Sequence, residues 1–172
     1  MTAVKSGESA ARTALVVGGA SGIGAASVRL LARDGYHVVA ADVADAAGSV
    51  RGAEEVGGHA VAKHLDLRML ETFEPFLDAL SDLPPLGAVV ITAALMGPRV
   101  DLDRYKPEDW QRVVDVNLTG TFFMAQAAAR RLAALGGGRV ILFTSASGRT
   151  PISTQTVAYN VTKASIPVLV HT

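Results

Sequence analysis

Short apolar runs and longer amphipathic stretches alternate along the chain from Thr13 onward. The short runs suit strands buried on both faces of a sheet, and the longer stretches suit helices that cover those faces. Strands are expected near Ala14 to Gly18, His37 to Asp42, Ala60 to Asp66, Ala88 to Thr92 and Arg139 to Thr144. Helices are expected near Ile23 to Asp34, Ala44 to Val56, Leu67 to Leu80 and Pro107 to Leu135. Strand, helix, strand in repetition implies an α/β fold, a doubly wound parallel sheet with helices on both faces. The fourth helix has the clearest ends: Pro107 suits the first helical position, Glu108 and Asp109 favour the positive end, and Gly136-Gly137-Gly138 stops it.

Residues 1–12 are small and polar without a period and read as a loose tail, leaving 13–172 as one domain that carries every motif. A length of 172 residues with 49% hydrophobic content is enough for a packed core. Sixteen basic residues balance sixteen acidic ones, so no net field draws the chain to nucleic acid or to an anionic membrane. The absence of cysteine excludes disulfides and thiolate metal sites and is compatible with a reducing cytoplasm. His37, His59, His64 and His171 show no metal-ligand spacing, and no metal is expected. Lys5 and Arg12, ahead of the uncharged stretch Thr13 to Val28, imitate a secretory signal, but its apolar centre, Ala14 to Val17, is too short. No run approaches the ~20 apolar residues of a membrane span.

Directly after the first expected strand comes Val17-Gly18-Gly19-Ala20-Ser21-Gly22-Ile23-Gly24, and a helix follows. Glycines at such a turn let the backbone approach a pyrophosphate, whose charge then meets the free amides and dipole of the helix N-terminus. The spacing is G-x-x-x-G-x-G; Ser27 stands where G-x-G-x-x-G would need its last glycine. Asp42 ends the second strand 18 residues past Gly24, where a carboxylate can accept hydrogen bonds from an adenosine ribose and repel a 2'-phosphate. It can equally cap the next helix. Further on, Tyr159 and Lys163 stand four apart, on one face if residues 157–166 are helical. Using tyrosine as an acid or base at neutral pH takes about 3 to 4 kcal/mol of phenolate stabilisation. A fixed cation about 4 Å away supplies about 4 kcal/mol at an effective dielectric near 20. The same spacing is also common on ordinary helix surfaces.

In this order of motifs the chain resembles the short-chain dehydrogenase/reductase family from Ala14 to about Ile166. The glycine turn, Asp42, Asp66 after the third strand, Asn117 in the fourth helix, Ser145 and the Tyr159/Lys163 pair all fall in the family's sequence order. The resemblance implies Tyr159 as the acid/base toward the substrate oxygen, with Lys163 lowering its pKa and holding the nicotinamide ribose. It implies Ser145 as a hydrogen-bond partner of the reacting carbonyl or alcohol, and Asn117 as the holder of a relay water. Contacts to NAD are implied for Gly18, Ser21, Gly22, Ile23, Gly24, Asp42, Asp66, Ala93, Tyr159 and Lys163, with Asp66 meeting the adenine. The same residues have plainer readings: Ser145 or Ser147 as loop residues, Asp66 as a turn former, and Asn117 as a helix residue bonded to backbone. Ser145 fits the family's S-x-x-G through Gly148; Ser147 offers a hydroxyl close by.

Three departures stand out. Val17 replaces the family's threonine, and Thr92-Ala93-Ala94-Leu95 replaces Asn-Asn-Ala-Gly, the segment that braces the sheet centre. The chain also ends at Thr172, nine residues past Lys163, before the family's sixth and seventh strands, and Pro167 is expected to kink the last helix. In the order 3-2-1-4-5-6, strand five becomes an apolar edge, which invites self-association. The expected function is NAD-dependent interconversion of an alcohol and a ketone by a cytoplasmic homo-oligomer. The competing expectations are a non-catalytic dinucleotide-binding remnant and a fragment functional only within an oligomer.

Overall fold

A computed structural model describes residues 11–150 and 153–170. The expected tail lies outside these residues except for Ala11 and Arg12. Five strands, β1 (Thr13–Val17), β2 (His37–Asp42), β3 (His59–His64), β4 (Leu86–Ile91) and β5 (Arg139–Leu142), form one parallel sheet in the order β3-β2-β1-β4-β5. The helices are α1 (Gly22–Arg33), α2 (Ala47–Glu54), α3 (Phe73–Asp78), α4 (Pro107–Val114), α5 (Thr121–Ala134) and α6 (Val157–Val170).

The sheet faces separate by the two-residue period of its strands. Leu15 and Val17 of β1, Val39 and Ala41 of β2, and Val89 and Ile91 of β4 pack with Phe73, Leu77, Met124, Ala128 and Leu132 from α3 and α5. The alternate positions Val16, Val38, Ala40 and Val90 pack on the other face with Val28 and Ala32 of α1 and Ala53 of α2. Each fully buried valine or leucine here contributes about 1.5 to 3 kcal/mol, which makes the three central strands the stable part of the sheet. The two edges differ in character. β3 presents His59, Lys63 and His64 along its length, whereas β5 leaves Ile141 42% exposed beside Arg139.

Several boundaries depart from expectation, each for a local reason. The helix expected over 44–56 begins only at Ala47, because the Asp42 and Asp45 carboxylates take the Ala44 and Ala47 amides and hold residues 43–46 in turns. The helix expected over 67–80 shrinks to a 3-10 turn, Leu70–Thr72, followed by α3. Its first residues are instead engaged by Asp66, which accepts from the Arg68 main chain and side chain. The long helix keeps its expected ends to within one residue, but a π-turn, Asp115–Gly120, separates α4 from α5. Its last residue packs against Leu67: a Cβ on Gly120 would lie 2.2 Å from the Leu67 carbonyl oxygen. β5 ends at Leu142 rather than Thr144, since Phe143 and Thr144 turn their polar groups to α6. α6 continues through Pro167 to Val170.

Candidate active site

The C-terminal ends of β1, β2, β3 and β4 open onto a groove of about 640 Å³, at the end of a doubly wound sheet where ligands bind. Its wall contains Gly18, Ser21, Gly22, Ile23, Gly24, Asp42, Asp66 and Ala93, eight residues singled out from the sequence. The glycine turn is rigidly braced. Thr92 donates its hydroxyl toward the Val17 and Gly18 carbonyls at 3.1 Å each, Ser49 donates to the Gly19 carbonyl at 2.6 Å, and Asp42 Oδ2 accepts from the Ala20 amide at 3.0 Å. Thr92, the first residue of the altered 92–95 segment, thus braces the glycine turn itself.

Two glycines in the turn are dictated by space. A Cβ on Gly24 would lie 1.9 Å from the Gly18 carbonyl oxygen, and one on Gly18 would lie 2.4 Å from the Ala93 amide nitrogen. Gly22 differs: it has φ +53°, yet a Cβ there would meet nothing within 4 Å. Ser21 ends the turn without a side-chain cap on α1, so the first amides of that helix are not taken by its hydroxyl. Uncapped amides at a helix start, close backbone packing and an open position at Gly22 together fit a phosphate-bearing ligand.

The carboxylates at the far end are more committed than the sequence suggested. Asp42 accepts one backbone amide on each oxygen, Ala44 on Oδ1 and Ala20 on Oδ2, at 3.0 Å each. It therefore caps the turn while lining the groove. Asp66 is clasped by Arg68, whose Nε lies 3.0 Å from both carboxylate oxygens and whose Nη2 lies 2.5 Å from Oδ2. Hydrogen bonding from Arg68 holds the Asp66 carboxyl below the ordinary aspartate range despite an opposing effect of burial. Arg68 and Arg112 also line the groove, and neither was read as a site residue from the sequence. The Asp-x-Arg spacing after the third strand was the available signal for Arg68.

The other four candidate residues lie outside the groove wall: Tyr159 and Lys163 on α6, Ser145 just past β5, and Asn117 in the π-turn that packs on α6. Tyr159 is half-buried, and the buried Lys163 places its Nζ 6.0 Å from the centre of the tyrosine ring. That ammonium donates to the Phe143 carbonyl at 2.7 Å, and burial pushes its pKa below the ordinary lysine range. Ser145 opens a 3-10 turn, Ala146–Gly148, and its Oγ accepts from the Ser147 amide at 3.2 Å. Gly148 lets this turn touch α6, since a Cβ there would lie 2.8 Å from the Lys163 carbonyl. Asn117 is 1% exposed in the π-turn, where it donates to the Leu95 carbonyl and to Thr162 Oγ1 and accepts from the Leu95 amide. Both of its side-chain N–H groups are thus used, and it ties the 92–95 segment to α6.

The family model for short chain dehydrogenases matches residues 12–172, and the chain belongs to that family. It is 34% identical over 141 residues to a cis-4-hydroxycyclohexanecarboxylate dehydrogenase of Sinomonas cyclohexanicum, covering 81% of this chain and 57% of that protein. It is 33% identical over 144 residues to a 3-alpha-(or 20-beta)-hydroxysteroid dehydrogenase of Mycobacterium bovis, covering 83% and 55% respectively. The crystal structure of a 3-oxoacyl-[acyl-carrier protein] reductase from Brucella melitensis superposes with a TM-score of 0.86 at 27% identity, over 93% of this chain and 67% of that one. The chain thus spans a little over half the length of these curated relatives.

Proposed function

We propose that this chain carries the cofactor-binding and proton-transfer parts of an NAD(H)-dependent oxidoreductase that interconverts an alcohol and a ketone. The supporting observation is one braced glycine turn opening a groove at the strand ends, with a tyrosine beside a buried lysine on the neighbouring helix. Gly18, Ser21, Gly22, Ile23 and Gly24 hold the pyrophosphate, Asp42 the adenosine ribose, and Asp66 and Ala93 the flanks of the cofactor. When bound, the nicotinamide supplies the hydride donor or acceptor. Tyr159 gives a proton to, or takes it from, the substrate oxygen. Lys163 stabilises the phenolate by its charge, at a cost lowered because the Phe143 carbonyl already compensates its burial. Ser145 offers its hydroxyl to the reacting oxygen, and Asn117 fixes Leu95, which lines the groove, against α6.

Asp42 favours NAD(H) over NADP(H), because a 2'-phosphate would meet its charge while Arg68 is spent on Asp66. The absence of cysteine agrees with a cytoplasmic setting. The exposed Ile141 edge supports self-association. Assay against a panel of secondary alcohols, alongside calorimetric titration of NADH, tests the reading. Tyr159→Phe is expected to remove nearly all turnover and leave cofactor affinity within about twofold, since only the transferable proton is lost. Full turnover in that variant would refute the role. Binding without turnover on any substrate would instead support a non-catalytic dinucleotide-binding role.

A further inference from the structure

A proline inside a helix removes one main-chain donor, and the carbonyl four residues earlier loses its partner. In α6 that proline is Pro167 and that carbonyl belongs to Lys163. The orphaned oxygen nevertheless has a donor: the Thr144 hydroxyl reaches it from the end of β5 at 2.7 Å. Phe143, the residue before Thr144, holds the other end of the same lysine, its carbonyl accepting from Nζ at 2.7 Å. Gly148 permits the approach, because a Cβ at that position would lie 2.8 Å from the Lys163 carbonyl carbon and oxygen. Two consecutive residues thus grip Lys163 at its main chain and at its side-chain tip.

We infer that Thr144 is a positioning residue for Lys163, its hydroxyl replacing the helical N–H that Pro167 lacks and so fixing α6 in register against β5. The working role of the lysine rests on the function proposed above, but the coupling between Thr144 and Pro167 does not. Without this bond α6 keeps its helix but is held to the end of β5 at Lys163 only through the flexible side chain, whose ammonium must stay beside Tyr159. The ammonium stands 6.0 Å from the centre of the Tyr159 ring, and burial is what lowers its pKa, so its solvation is the property most sensitive to a shift of the helix.

The test is a thermal cycle on wild type, Thr144→Val, Pro167→Ala and the double variant, with Thr144→Ser as control. Thr144→Val is expected to lower Tm by about 2 to 4 °C at this chain length, and Thr144→Ser to restore it. In the Pro167→Ala background residue 167 regains its N–H, so the same valine substitution is expected to cost less than half as much. In protein carrying ε-carbon-labelled lysine, the Lys163 resonance is identified by its loss in Lys163→Arg. Its titration midpoint is expected to rise by about one pH unit in Thr144→Val as the ammonium gains water. An equal valine penalty in both backgrounds, or an unmoved Lys163 midpoint, would overturn the inference. Absence of turnover with an intact cycle would count against the proposed function alone.

Discussion

The Asn117 side chain closes a ring with the main chain of Leu95: its Oδ1 accepts from the Leu95 amide at 2.7 Å and its Nδ2 donates to the Leu95 carbonyl at 2.8 Å. A side-chain amide in this arrangement copies the donor and acceptor pair of a neighbouring strand and holds residues 92–95 where β4 has already ended. Asn117→Ala leaves both Leu95 groups without that partner and strips Thr162 of a donor. The expected loss is about 1 to 3 kcal/mol in denaturant unfolding, accompanied by weaker NADH binding because Leu95 lines the groove. A variant as stable as wild type would show that water replaces the ring at no cost.

Gly24 and Gly22 are two residues apart and are expected to respond differently to alanine. At Gly24 the new methyl would lie 1.9 Å from the Gly18 carbonyl, so α1 or the turn must move, and NADH affinity should fall by more than about tenfold together with stability. At Gly22 there is room, and the cost is the strained backbone at φ +53°, about 1 to 2 kcal/mol. Paired unfolding and calorimetric measurements separate the two, and equal stability losses would contradict the packing argument.

Asp42 both lines the groove and holds the Ala20 amide, so removing the whole carboxylate confounds charge with architecture. Asp42→Asn loses the charge and keeps an acceptor for only one of the two amides, so the informative readout is the ratio of the two cofactor affinities, which a shared architectural loss leaves unchanged. Wild type is expected to prefer NADH to NADPH by about tenfold or more, equivalent to ~1.4 kcal/mol, and Asp42→Asn to narrow that preference. Titration of both cofactors into both proteins decides it; a tighter NADPH complex in wild type would remove the assignment.

The Asp66 clasp gives stability a pH dependence of definite sign. Arg68 lowers the folded-state pKa of Asp66, so below the ordinary aspartate value the unfolded chain binds more protons than the folded one. The contribution is present above that ordinary value, about 3.9, and is lost as pH falls through the folded-state pKa. Arg68→Ala is expected to flatten the acid side of the stability curve below about pH 4 and to leave its shape near neutrality unchanged. Parallel acid limbs for the two proteins would contradict this.

The central strands were legible because β1, β2 and β4 are apolar at consecutive positions and buried on both faces, leaving little competition between patterns. Eight residues of the groove wall were legible as well, since glycine spacing and strand-end carboxylates lie along the chain itself, whereas Arg68 and Arg112 were not. Helix starts were misread where an aspartate diverted backbone amides, as Asp45 did for Ala47 and Asp66 for Arg68. The π-turn left no periodic trace, and its cause is tertiary: Asn117 is bonded to Leu95 and Gly120 lies against Leu67. Pro167 stands four residues past Lys163 in plain view, but nothing in the local sequence of α6 could reveal that Thr144, 19 residues before that lysine, would donate to its carbonyl.

The strand order also sets a schedule. β1 leaves the ribosome first, yet one of its two neighbours, β4, starts only at Leu86, and the Thr92 hydroxyl bonds span 75 residues to Val17 and 74 to Gly18. Contacts of that range form late because the intervening chain must first be closed into a loop. A nascent chain that has emerged only as far as β3 can pair β1 with β2 and β2 with β3, but its glycine turn still lacks the Thr92 brace. The groove is therefore completed by the second half of the sheet rather than by the glycine motif alone, and a growing chain acquires a fully braced glycine turn only after β4 docks against β1.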